Sequence, residues 1–340
     1  MTFEAMYYPY ASIRNQETLM QSLLYFDKIH VLSPHEWTIQ ENLEQIREIS
    51  GDRDLISIID PLRILEEYGS EFFESVKDDI NDQYFGRMKQ EEKTPFEWIL
   101  YDEKLGINIK RTFSDKINIQ GGLAYVEGDL GESILINHTI LACIGDKLTP
   151  FTDKKKHQDV LTHKMQRNFE KYKKEYLSER DIKEVRQNLL AQEVIKTSLP
   201  SVTGIKVTDV LNFRDGHKRE LKSFRKGMAS LADTLKSKPW SHEFEAEIEK
   251  IKDNIMPKVE DLKSDMQTFQ SDMKRKYTKK IIPVVASLAL TAYTGSLSLV
   301  VVGGSIISSG VYTDIFDDLK EYKNLNSLTY LFEIKKIGRI

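Results

Sequence analysis

Three aspartates in this chain could do metal chemistry. Asp27 follows the apolar run Leu23-Leu24-Tyr25-Phe26, and Asp153 and Asp159 stand close together before the midpoint. Carboxylate trios gathered at strand ends hold Mg²⁺ and polarise a phosphodiester. Aspartates at such places also cap helices. That plainer role is preferred here, so neither a metal nor a cofactor is assigned. A second polar set is Arg214, His217, Glu220 and Arg225. Glu220 lies three residues beyond His217, so a helix would bring the two to one side. This set is expected either as an ion-pair network joining two modules or as a ligand site between them, the former being preferred. HExxH, paired cysteines, GxSxG and glycine-rich phosphate loops are all absent from the sequence, which removes zinc-protease, acyl-transfer and dinucleotide fingerprints. His157 and His163 lack metal-ligand spacing. His138 and the single cysteine, Cys143, sit in the apolar run Ile134 to Ile144 and are expected as core residues.

The elements that position these residues come next. Phe3 to Tyr10 reads as a strand, Asn15 as the cap of a helix carrying Leu19, Leu23, Leu24 and Phe26, and Lys28 to Leu32 as a second strand. So short a strand-helix-strand unit predicts two adjacent parallel strands. Ligands in open parallel sheets bind beyond the carboxyl ends of strands. Those ends are Tyr8-Pro9-Tyr10 with Arg14, and Leu32-Ser33 with His35.

Thr38-x-x-Glu41 reads as a capping-box pattern, and Asp60-Pro61 as the start of a further helix. Glu66 to Glu92 reads as a solvated acidic helix pair with one buried stripe. The spacing predicts a short helix over Phe96–Tyr101, a strand over Ile107–Phe113, a strand over Leu123–Val126 and a core helix over Ile134–Leu148.

These residues carry a resemblance. Tyr7-Tyr8-Pro9, Leu23-Leu24-Tyr25-Phe26-Asp27-Lys28-Ile29, Leu32-x-Pro34, Leu148-Thr-Pro-Phe-Thr-Asp153 and Leu211-Asn-Phe-Arg214 followed by His217, Glu220 and Phe224-Arg225 are similar to a large group of uncharacterised bacterial proteins. The resemblance implies a bacterial protein with an α/β head followed by helices, and it implies no activity. The phrase ending Thr152-Asp153 is also similar to the late acidic motif of PIN-type nucleases. Tyr7-Tyr8-Pro9, however, stands where that family's first aspartate belongs.

Beyond residue 153 the pattern is helical. Lys154 to Lys196 is basic and amphipathic, with a solvated face preferred over a phosphate-binding one. With a net charge of -4 and few interleaved aromatics, nucleic acid is not an expected partner. Residues 211–280 read as a long amphipathic hairpin, suited to a protein partner or to a second copy of the chain. Ile281 to Thr313 then carries no charge, with Ile281 at its start and Val301, Gly303 and Gly304 at its centre. This run is either a buried hairpin or a membrane-entering segment. Burial is preferred, because an acidic helical tail follows it.

The sequence therefore predicts an α+β, mostly helical protein. It would have a module over 1–153 containing a βαβ unit, a basic connector over 154–200, and a helical module over 201–340 with a buried apolar hairpin. One cysteine excludes an internal disulfide, and the opening residues lack a signal-peptide pattern. The expected compartment is the cytoplasm, with the inner membrane as alternative. The expected function is a non-catalytic bacterial binding or interaction protein in defence or stress. The alternatives are a membrane-active effector and a Mg²⁺-dependent nuclease.

Overall fold

Glu4–Tyr7 is a strand (β1) in the computed structural model of the chain, and its consecutive buried residues Ala5, Met6 and Tyr7 suit its place inside a parallel sheet covered on both faces. The structure describes residues 3–11, 13, 15–37, 55–82, 98–198, 207–255, 330 and 334. The fold is mixed α/β and mostly helical with a small parallel sheet. The chain divides into two compact units, Met1–Val185 with Pro239–Ser241, and Arg186–Lys238 with His242–Ile340. The basic stretch expected as a separate connector, 154–200, is thus shared between the two.

In the first unit Asn15 caps the helix Gln16–Tyr25 (α1), its side chain accepting from the Thr18 N–H at 3.1 Å. The chain returns as Lys28–Leu32 (β2), parallel to β1 with Ala5 beside Ile29. The expected βαβ unit is therefore present. Two strands join it that periodicity does not disclose. Ile56–Ile59 (β3) pairs with β2, and Thr149–Phe151 (β7) pairs with β1 on the other side, giving the all-parallel order β3-β2-β1-β7.

Asp60 and Pro61 open the helix Pro61–Ile80 (α2) as expected, Asp60 accepting from the Leu62 N–H at 2.9 Å. The segment expected as a short helix at Phe96–Tyr101 is instead a strand, Trp98–Tyr101 (β4). Its bulky aromatic and branched side chains suit a pleated surface, and it pairs antiparallel with Leu123–Val126 (β6). The segment expected as a strand at Ile107–Phe113 is a helix, Ile107–Thr112 (α3). Only Ile109 of α3 is buried, and Ile107 is 63% exposed, so the alternation there did not report two faces of a sheet. Ile117–Gln120 (β5) completes the antiparallel order β4-β6-β5. Gly121 and Gly122, at φ 58° and 79°, form the two-residue turn from β5 to β6. Such a turn needs left-handed residues to match the strand twist.

Gly128–Asp146 (α4) is buried on every side from Asp129 to Ile144. A helix this apolar all round belongs in the middle of its unit. It packs on α2 and on β1, β4 and β7. Ile134, Ile136 and Ile140 are at most 1% exposed. Burying each stabilises the unit by about 2–3 kcal/mol before entropy is subtracted. Lys155–Glu175 (α5) follows β7, and Glu179–Ser198 (α6) carries the chain from the first unit into the second.

In the second unit the two expected helices are present as Lys218–Ala232 (α8) and a helix over 242–255 (α9), and a further helix, Val207–Gly216 (α7), precedes them. Leu221, Phe224 and Met228 are the buried stripe of α8. Tyr330 and Ile334, four residues apart and both helical, are fully buried, and Tyr330 lies 5.7 Å from the rings of both Phe213 and Phe224. Among the described residues no helix is long and apolar enough to cross a membrane. The expected apolar hairpin, with Ile281, Val301, Gly303 and Gly304, lies outside the described residues, as does the hairpin pattern beyond residue 255.

Candidate functional site

The parallel sheet reverses its strand order at β1. The chain proceeds from β1 to β2 and β3 on one flank and reaches β7 on the other. At such a reversal the connections leave in opposite directions and open a crevice beyond the carboxyl ends. Those ends here are Tyr8-Pro9-Tyr10 after β1 and Thr152-Asp153 after β7. The Tyr8 N–H donates to the Phe151 carbonyl at 2.9 Å, and the Tyr7 hydroxyl donates to Asp153 Oδ1 at 3.0 Å. Phe26 stacks on Phe151 at 6.1 Å. Three of the phrases that carry the family resemblance thus meet in space.

Both α4 and α5 begin at this edge. Glu132, in the second turn of α4, and His157, in the first turn of α5, face each other. Tyr8 donates to Glu132 Oε1, and His157 Nδ1 lies 3.0 Å from the same oxygen. Tyr8, Glu132 and His157 are 0%, 2% and 6% exposed. Burial, followed by the charge of Glu132, pushes the Tyr8 hydroxyl well above its ordinary pKa, so it stays protonated and donating. With Glu132 ionised, His157 Nδ1 carries the proton and Nε2 presents its lone pair when the ring is neutral.

Aromatic rings close around His157. Tyr8 and Trp98 have centroids 5.6 Å away and Tyr10 6.0 Å away, while Tyr10 and Trp98 lie 6.0 Å from each other. Trp98 can approach only because residue 131 is glycine: a Cβ there would fall 2.4 Å from the indole. Neither Tyr8 nor His157 uses Glu132 Oε2. The arrangement is therefore a carboxylate oxygen and an imidazole nitrogen set among three flat rings. Two of these rings, Tyr10 and Trp98, are only half-buried.

A second polar group lies deeper along α4. Lys164 of α5 forms an ion pair with Asp79 of α2 and bonds the Ser75 hydroxyl at 3.0 Å. Ser133 and Asn137 donate to Asp79 Oδ2 at 2.7 and 2.8 Å. Burial lowers the Lys164 pKa against the opposing pull of Asp79. With both partners at 1% exposure, this group is part of the core.

The residues singled out by sequence fall as follows. Asp27 stands at the amino end of β2, where its Oδ2 accepts from the Phe3 N–H at 2.9 Å. Asp153 stands at the opposite edge, after β7, and Asp159 is exposed on α5. The parallel sheet separates Asp27 from the other two, so the three do not gather. Among the described residues no group of three or more His, Cys, Asp or Glu is placed to hold a metal. Arg14 lies outside the described residues; His35 packs on Tyr101 at 4.6 Å.

Arg214, His217, Glu220 and Arg225 all belong to the second unit. His217 sits between α7 and α8 with non-helical backbone, so the three-residue spacing to Glu220 does not act as helical spacing. Its Nδ1–H donates to the Phe213 carbonyl at 2.8 Å and its ring stacks on Phe213 at 4.2 Å. The Arg225 carbonyl accepts from Gln187 Nε2 at 3.0 Å.

Sequence reasoning passed over Glu132 and treated His157 as one of a scattered set. One signal was available. Glu132 is the last charged residue before thirteen consecutive uncharged ones that end at Gly145, and a carboxylate at the mouth of a buried helix needs a partner.

No family model, curated protein or solved structure matches this chain.

Proposed function

We propose that this chain is a binding protein whose first unit takes a small, flat, nitrogen-bearing ligand at the carboxyl edge between β1 and β7. The observation that carries the reading is the Tyr8–Glu132–His157 group held among Tyr10 and Trp98 at the sheet's reversal point. Glu132 Oε2 accepts from an N–H of the ligand, His157 Nε2 supplies a second contact, and Trp98 or Tyr10 stacks on the ring. The setting proposed for this binding is a bacterial cell, in defence or stress. The test is titration calorimetry and thermal shift with nucleobases, nucleosides and aromatic amines against the wild type and Glu132→Gln. Binding that is lost in Glu132→Gln supports the reading. If no compound binds, or the variant binds equally well, the reading fails.

A membrane-active effector is the second reading, favoured by the charge-free run 281–313 and the basic residues that precede it. The packing of Tyr330 on Phe213 and Phe224 favours a run whose two ends stay on one side of a bilayer over a single crossing. Flotation of the full chain with anionic vesicles tests it: failure to float, with or without ligand, removes this reading.

A further inference from the structure

Far from the carboxyl edge, one polar line crosses three neighbouring strands on a single face of the parallel sheet. Glu4 of β1, His30 of β2 and Ser57 of β3 occupy it. His30 and Ser57 are direct register partners, and Glu4 is the partner of Lys28, two residues before His30. Because side chains two apart on a strand share a face, this register alone brings the three together. His30 Nε2 lies 2.7 Å from Glu4 Oε2, and the Ser57 hydroxyl lies 2.8 Å from His30 Nδ1.

The roles of the two ring nitrogens follow from the partners. An ionised carboxylate only accepts, so Nε2 carries the proton that bonds to Glu4. On a neutral ring Nδ1 is then an acceptor, and Ser57 donates its O–H to it. Burial holds the His30 pKa below its ordinary value, with Glu4 opposing, so the neutral ring is the resting form at neutral pH. Nothing in the sheet's pairing requires a serine here. Threonine or valine would satisfy an edge strand better.

Among the described residues β3 is one of the two edge strands of this sheet. Its Ile59 carbonyl points inward, accepting from the Ser33 N–H at 3.1 Å. By the alternation of backbone groups along a strand, the Ile58 N–H points outward. In α/β-hydrolases one oxyanion donor is the N–H of the residue after the nucleophile.

We propose that Ser57 is an activated nucleophile for acyl transfer from small esters, with His30 as its general base and Glu4 as the group that orients the imidazole. Ser57 Oγ attacks the ester carbonyl while its proton moves to His30 Nδ1, giving an imidazolium held by Glu4. The oxyanion collapses, the C–O bond to the leaving group breaks, and the departing alkoxide takes the proton from His30. Water attacks the acyl-serine, again giving its proton to His30. The acid then leaves and Ser57 recovers its proton.

The test is labelling of the full chain with a fluorophosphonate, whose phosphorus is attacked by Ser57 with loss of fluoride, read by intact mass and peptide mapping. One adduct on Ser57 is expected, formed at least ~100-fold more slowly in His30→Gln and clearly more slowly in Glu4→Gln. Hydrolysis of p-nitrophenyl acetate should fall to background in Ser57→Ala, which removes one oxygen and leaves the strand intact. An unlabelled wild type, or an adduct whose rate is the same in His30→Gln, overturns the proposal.

Discussion

His138 lies stacked on Phe72, ring centroids 4.3 Å apart, and donates from Nε2 to the Lys104 carbonyl at 2.7 Å. Its Nδ1 is buried without a partner. Burial, with the nearby Lys104 charge adding to it, pushes its pKa from 6.5 down to about 3. The unfolded chain therefore binds a proton below about 6.5 that the folded chain refuses until about 3. This group's contribution to stability is complete above that window and is lost as pH falls through it, at about 1.4 kcal/mol per pH unit. Urea midpoints at pH 7, 6 and 5 are expected to fall less steeply for His138→Phe, by about one proton in the slope.

Lys104 gives the opposite side of the pH scale. It is 3% exposed, sits over the Tyr101 ring at 5.9 Å, and is lowered by burial from 10.5 to about 8. Between these values the unfolded chain holds the extra proton, so stability is expected to rise with pH from about 8 towards 10.5. Lys104→Met should abolish that rise in denaturation curves taken at pH 8 and pH 10.

The Lys164–Asp79 pair should show strong coupling. Lys164→Met alone leaves a carboxylate at 1% exposure without its counter-charge, a loss of about 3–5 kcal/mol. Lys164→Met with Asp79→Leu removes both charges and is expected to recover much of that loss. A double-mutant cycle in urea measures it, and additive losses would show that the two side chains act independently.

Gly131→Ala drives a Cβ to 2.4 Å from Trp98, an overpacking cost of about 1–3 kcal/mol. The indole must move, so the fluorescence of Trp98 should shift along with the melting temperature. Ligand affinity in the proposed site should fall by a similar factor. Trp98→Ala in the same chain should relieve the stability loss but not restore binding.

Lys147 ends α4 in the left-handed conformation, φ 57° and ψ 43°. Glycine adopts it without a Cβ penalty. Lys147→Gly is expected to raise stability by about 0.5–1 kcal/mol, since the ion pair it gives up, to Asp181 at 3.3 Å, involves a largely exposed lysine.

Where local chemistry dictates local structure, the sequence was easy to interpret. Asn15 and Asp60 cap their helices as their types require, and the alternation of Lys28–Leu32 matches a strand. Two segments went the other way because pattern is a weak guide over six or seven residues. Trp98–Tyr101 became a strand by pairing with β6, and Ile107–Thr112 became a helix with one inward residue. Of the candidate site, the carboxyl end of β1 was visible from the βαβ pattern. Glu132 and His157 were not, because what makes them a pair is the return of the chain to β1 as β7, a contact that no local spacing encodes. Glu4, His30 and Ser57 were hidden for the same reason, since register between strands is a property of the assembled sheet.

That late return has a cost during synthesis. Tyr7 and Asp153, which meet beyond β1 and β7, are 146 positions apart. At ~5–20 residues per second a ribosome needs about 7 to 30 s to make the intervening chain. For that interval the edge of β1 that β7 will occupy has no strand to pair with, and its apolar side chains are offered to any neighbouring chain. Fragments that stop before β7 are therefore expected to aggregate, and the cell has reason to keep a chaperone on this nascent chain until Phe151 has emerged.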